Sequence, residues 1–156
     1  MADLVGNDGL KYRIVTKKEA ALKQVGIAIK LLGEGEYEAA ITLAGAAEGM
    51  MIPGGMPTPM FESLKERRPT DFATEAKWIS FLNDTLYWFK HNGDQENRAV
   101  GEFDAWLMIS RALTKYHGTF GEKPQEEVEA FIAWGQNRKL QAGISVTVHS
   151  IDGAAS

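Results

Sequence analysis

A chain without cysteine has to do any chemistry with its histidines, carboxylates and cations, and this one has three histidines. His117 follows Arg111 by six positions. In that pairing an imidazole moves a proton while a guanidinium holds developing negative charge. A helix turns about 100° per residue, so six residues set the two side chains roughly 120° apart. Arg111 then shares a strip with Asp104 and Lys115, while His117 falls in line with Phe103, Ser110, Leu113 and Phe120. The two meet on one face only if the helix ends near Tyr116–Gly118 and lets His117 swing back. Otherwise Arg111 is a surface residue and His117 a terminal cation that complements the helix dipole.

Two further constellations carry polar chemistry. Asp84, Tyr87 and His91 stand at i, i+3 and i+7 of one helical face, with Lys77 and Ser80 on the same face and Lys90 adjacent. A carboxylate beside a histidine raises its pKa and orients its ring; the same pattern also suits a solvated face ending in cations. Glu48 is the only acid between Glu38 and Glu62, set in the small-residue run "LAGAAEGMM". It is either exposed or paired with a base from another helix, with Lys90 and Arg111 as the candidates. The catalytic candidates are therefore Arg111, His117 and His91, and the binding candidates Glu48, Asp84, Tyr87 and Lys90. No metal or cofactor is expected. Helical bundles hold metals through Glu-x-x-His pairs, and the positions three before His91, His117 and His149 hold Trp88, Thr114 and Val146. Phosphate-loop, dinucleotide and nucleophile-elbow motifs are lacking.

Five helices must position these residues. The first opens at Thr16, whose spacing to Glu19 is that of a capping box, and carries Ala21, Leu22, Val25, Ile29 and Leu32 on one stripe up to Gly33–Gly35. The second, "EYEAAITLAGAAEGMM", turns Ala40, Leu43, Ala44 and Ala47 one way, with Gly45 and Gly49 allowing close approach of a neighbour. The Met-rich stretch 50–60, with "IPGGMPTP", ends it and reads as a surface connection. The third runs roughly from Asp71 to His91 with a main stripe of Phe72, Ala76, Ile79, Leu82, Leu86 and Phe89, and a second of Trp78, Phe81 and Trp88. The fourth spans about Ala99–Tyr116, with Phe103, Trp106 and Leu113 inward and Ala105, Ile109 and Ala112 as a second strip. The fifth starts near Pro124 and presents Val128, Phe131, Ile132 and Trp134. Before and after the bundle, "LKYRIVT" and "ISVTVHSI" alternate apolar and polar residues, which reads as strand. The expected fold is all-α: an up-down bundle of four main helices plus one, to which the chain ends can add a two-stranded ribbon. Residues 1–15 form an N-terminal extension, 16–141 the bundle domain and 142–156 a tail.

The 156 residues make one domain. The net charge of −4 disfavours a generic polyanion binder, though not a local basic cluster. No membrane-spanning run and no signal peptide are visible, so a cytoplasmic location is expected. Third and fourth helices with two apolar strips each exceed what one bundle interior needs, and this predicts a homodimer.

"AAITLAGAAEGMM", "FLNDTLYWFKH" and "DAWLMISRALTKYHGTFG" on successive helices together resemble a HEPN domain over residues 16 to 121. The resemblance implies a small, commonly dimeric helical bundle of toxin–antitoxin or phage-defence context. It also implies a metal-independent ribonuclease motif of Arg, four to six residues, then His, which meets its copy at the dimer interface. Carried over, His117 would act on the RNA 2′-hydroxyl and Arg111 on phosphate charge. Two departures count. Ala112 follows Arg111, where the motif often has a polar residue. In a second register based on "LND…KH", Leu86 and Tyr87 stand where an Arg and an Asn belong, so His91 lacks its arginine. The expected function is thus a non-catalytic HEPN-like binding or regulatory dimer with RNA, a nucleotide or a protein as partner. The alternatives are an active HEPN-type endoribonuclease, or an unrelated bundle holding a small apolar ligand among Trp78, Phe81, Trp88 and Trp106.

Overall fold

The computed structural model describes residues 3–5, 11–51, 73–91 and 96–137. Among these residues the helices are α1 (Lys17–Glu34), α2 (Tyr37–Met50), α3 (Glu75–Lys90), α4 (Glu102–Phe120) and α5 (Gln125–Asn137). The all-α architecture expected from periodicity is present.

Local signals account for most helix ends. The Glu19 amide donates to Thr16 Oγ1 at 3.1 Å, and the Thr16 amide donates to the Glu19 carboxylate at 2.8 Å, closing the capping box of α1. Gly35, with φ of 83°, ends the helix in the left-handed conformation that glycine adopts without penalty. The connection to α2 is so short that the two helices lie side by side as a hairpin. Thr74 caps α3 by accepting from the Lys77 amide at 3.2 Å. The fourth helix starts and ends later than periodicity suggested. Gly101 precedes it, its amide donating to Asp104 Oδ2 at 3.1 Å, and Gly121 with φ of 69° stops it.

The core is an alanine seam. Ala40, Ala44 and Ala47 of α2 and Ala105 and Ala112 of α4 are fully buried, together with Ile41, Ile109, Met108 and Tyr116. Ala21, Val25, Ala28, Ile29 and Leu32 of α1 complete it. This corrects the order of the two strips on α4. Ala105, Ile109 and Ala112 face the main core, because small side chains let α4 approach the alanine face of α2. Phe103 and Trp106 are too large for that seam and join a satellite cluster around Trp78 and Leu107. On α3, Leu86 and Phe89 pack against the main core, Trp78 is buried in the satellite, and Ala76 is exposed. On α5, Val128, Phe131 and Trp134 pack inward, whereas Ile132 is exposed.

A two-stranded ribbon precedes the bundle. β1 (Asp3–Val5) pairs antiparallel with β2 (Lys11–Arg13), placing Leu4 opposite Tyr12. The strand expected around Tyr12 exists, but the partner present is the segment just before it. The anticipated C-terminal partner in 142–156 lies outside the described residues, as do Phe72 and the stretch 52–60. Among the described residues no helix is long and apolar enough to cross a membrane.

Candidate functional site

Glu48 sits on the last turn of α2 and points at α4. There Arg111 grips its carboxylate: Nε and Nη2 donate to Oε1 at 3.1 and 2.9 Å, and Nη2 also reaches Oε2 at 3.2 Å. The remaining terminal nitrogen, Nη1, donates to Asn83 Oδ1 of α3 at 2.7 Å. One guanidinium therefore ties three helices together. With only 11% and 16% of the two side chains exposed, the pair works in a medium much less polar than water, where a forked, charge-assisted contact is strong. One turn further along α4, Lys115 Nζ donates at 3.0 Å to the Glu48 carbonyl, which also accepts from the Met51 amide at the end of α2.

Above this clamp lies a cleft of about 330 Å³ whose wall includes Gly49, Leu86, Tyr87, Lys90 and His91 beside the clamp residues. Gly45 lets α3 come in: a Cβ at that position would stand 2.4 Å from Leu86 Cδ1. Tyr87 is 63% exposed, and its ring stacks on His91 at 4.5 Å between centroids. The cleft therefore offers an aromatic ledge at its mouth. Lys90, Arg111 and Lys115 against the single carboxylate of Glu48 leave the lysine and arginine cations of the cleft in excess by two.

The structure sorts the sequence candidates. Glu48, Tyr87, Lys90, His91 and Arg111 converge on one cleft, and Glu48 takes Arg111 as its base. His117 does not join them. The fourth helix continues to Phe120, so His117 cannot swing back toward Arg111. It is exposed on the side of α4 that faces α5. Asp84 does not orient His91 either. Its carboxylate is taken by Arg98, whose Nη2 also donates to Thr85 Oγ1 at 3.0 Å. Thr85 in turn donates to Asp104 at 2.6 Å, linking α3 to the start of α4. Asp84 is thus part of a brace beside the cleft.

Asn83 and Lys115 were missing from the sequence candidates. Lys115 was within reach of periodicity, since it lies four residues after Arg111 on the same strip. Asn83 stands four residues before Tyr87, and nothing in its type announces a guanidinium partner. The four aromatic residues proposed to hold an apolar ligand pack on neighbouring rings: Trp78 on Phe81 at 5.6 Å, Trp88 on Phe89 at 5.2 Å, and Trp106 on Phe103 at 5.9 Å. Among the described residues no cluster of His, Asp and Glu is arranged to hold a metal ion.

No protein-family model matches the chain, and neither a curated protein nor a solved structure does.

Proposed function

We propose that this protein is a non-catalytic, HEPN-like helical module, acting as a homodimer, that binds the phosphate and base of a nucleotide or of single-stranded RNA in the α2–α3–α4 cleft. The observation that carries the reading is the combination at the mouth of the cleft: an exposed, stacked Tyr87–His91 pair next to Lys90, over an interior with excess positive charge. Aromatic ledges stack bases at about 1–3 kcal/mol each without needing their sequence, and nearby lysines neutralise phosphate. The overall acidity of the chain is compatible with this, because Lys90, Arg111 and Lys115 form a local cluster of cations in the cleft. Catalysis is the weaker reading because Arg111 is already committed to Glu48 and Asn83.

The test is anisotropy of a labelled single-stranded RNA in EDTA. Wild type should bind with a strong salt dependence, and Tyr87→Ala and Lys90→Ala should each weaken binding about ten-fold, the equivalent of ~1.4 kcal/mol. Equal affinity for all three proteins, or no binding by wild type, contradicts the proposal.

One observation favours a second reading, an active HEPN-type ribonuclease. His91, which lacks an arginine in its own helix, lines the same cleft as Arg111. In that case the RNA is cut in EDTA, the activity is lost in His91→Ala, and it survives in His117→Ala.

A further inference from the structure

The polar groups that form the floor of the α2–α3–α4 cleft do not exhaust their hydrogen-bonding capacity on one another. Glu48 Oε1 accepts twice from Arg111, whereas Oε2 accepts once, at 3.2 Å. An ionised carboxylate has about four acceptor sites, so a site on Oε2 is left open among the described residues. The Glu48 side chain is 16% exposed and lines the cleft. Beside it, Lys115 donates to the Glu48 backbone carbonyl rather than to the carboxylate, and its other N–H groups remain available. Asn83 has its amide oxygen engaged by Arg111 and its amide nitrogen by the Ile79 carbonyl at 2.9 Å. What the floor offers a guest is therefore an anionic acceptor next to a cationic donor.

That combination is selective. A phosphate oxygen has no proton to give and is repelled by the carboxylate, so phosphate belongs at the mouth with the exposed Lys90. A hydroxyl suits the floor, because its O–H donates to Glu48 Oε2 while its oxygen accepts from Lys115 Nζ. With the base stacked on Tyr87 at the mouth, the group that reaches inward is the sugar. The 3′-hydroxyl is esterified within an RNA strand, whereas the 2′-hydroxyl is free there and in a mononucleotide, and it is the group that separates RNA from DNA. We infer that Glu48 and Lys115 read the ribose 2′-hydroxyl, so that the cleft selects ribonucleotides over deoxyribonucleotides. The inference rests on the nucleotide-binding reading of this cleft and adds its sugar specificity.

The experiment titrates the full chain with AMP, 2′-deoxy-AMP and 3′-deoxy-AMP, following the ring protons of Tyr87 and His91. AMP and 3′-deoxy-AMP bind alike, and 2′-deoxy-AMP binds about ten-fold more weakly, as expected for the loss of a hydrogen bond to a charged group. In Lys115→Met the preference for AMP over 2′-deoxy-AMP shrinks. A lysine that contributed only its charge would instead weaken both nucleotides by the same factor. The Glu48 carbonyl keeps the Met51 amide as a donor at 3.2 Å in that variant, and the Arg111–Glu48 clamp is untouched, so the fold is retained. Equal affinity of wild type for all three nucleotides, or a weakening confined to 3′-deoxy-AMP, overturns the inference and leaves the nucleotide reading standing. An undiminished preference in Lys115→Met also overturns it. No shift with any of the three overturns both.

Discussion

Arg111 is the residue on which the site depends, and its role is structural before it is functional. Its guanidinium and the Glu48 carboxylate are both largely shielded, so removing one partner leaves the other charge poorly solvated. Arg111→Met should destabilise the fold by about 2–3 kcal/mol in urea unfolding. The double variant Arg111→Met with Glu48→Met should recover most of that loss, since two apolar side chains of similar volume leave no orphan charge. A double variant worse than either single one would show that the clamp contributes more than mutual neutralisation. This pairing was legible in the sequence because Glu48 is a solitary acid in an alanine- and glycine-rich turn, where a carboxylate needs a base from outside. Asp84 was misread for the opposite reason. Its true partner, Arg98, sits outside any helix, where periodicity gives no hint of which side chain folds back. His117 failed because the sequence offered two helix ends, and the left-handed residue that stops the helix is Gly121 rather than Gly118.

At the scale of elements, the close approach of α3 to α2 forms the cleft, and Gly45 is its condition. Gly45→Leu should force Leu86 outward, cost about 1–3 kcal/mol by overpacking, and reduce RNA affinity although no cleft-lining residue is changed. Unaltered binding would mean that α3 finds its place without that contact. The start of α1 gives a pH signature. Thr16, through its backbone amide and then its hydroxyl, holds the Glu19 carboxyl below its ordinary pKa. A lowered folded pKa stabilises the protein above the ordinary glutamate value, and that contribution is lost as pH falls through the folded value. The stability difference between wild type and Glu19→Ala should therefore be constant near neutrality and shrink on acidification below about pH 4.3; a difference that persists in acid refutes the cap. The helical character of the described segments was readable from stripes of apolar residues, and the order of the α4 strips was not. Residue size suggested that the aromatics face the core, but close helix approach selects alanine, and only the alanine face of α2 reveals which strip it meets.

For the whole molecule the expectation is a dimer built around α3. Ile79, Phe81, Trp88 and Phe89 remain partly exposed there, while α5 covers part of the aromatic satellite by stacking Phe131 on Trp106 at 6.5 Å. Sedimentation equilibrium at micromolar protein should return twice the chain mass of 17.2 kDa, and Trp88→Glu should shift it to a single chain. A single-chain mass for wild type would mean that α5 suffices to cover the apolar surplus. The central claim, however, concerns which face of α4 meets a nucleotide. It is tested most directly by following the ring protons of Tyr87, His91 and His117 while AMP is added. Stacking of a base on the ledge predicts large ring-current shifts at Tyr87 and His91 with His117 unmoved, and their loss in Lys90→Ala. Shifts at His117 with Tyr87 and His91 silent would contradict the account and move the site to the side of α4 that faces α5.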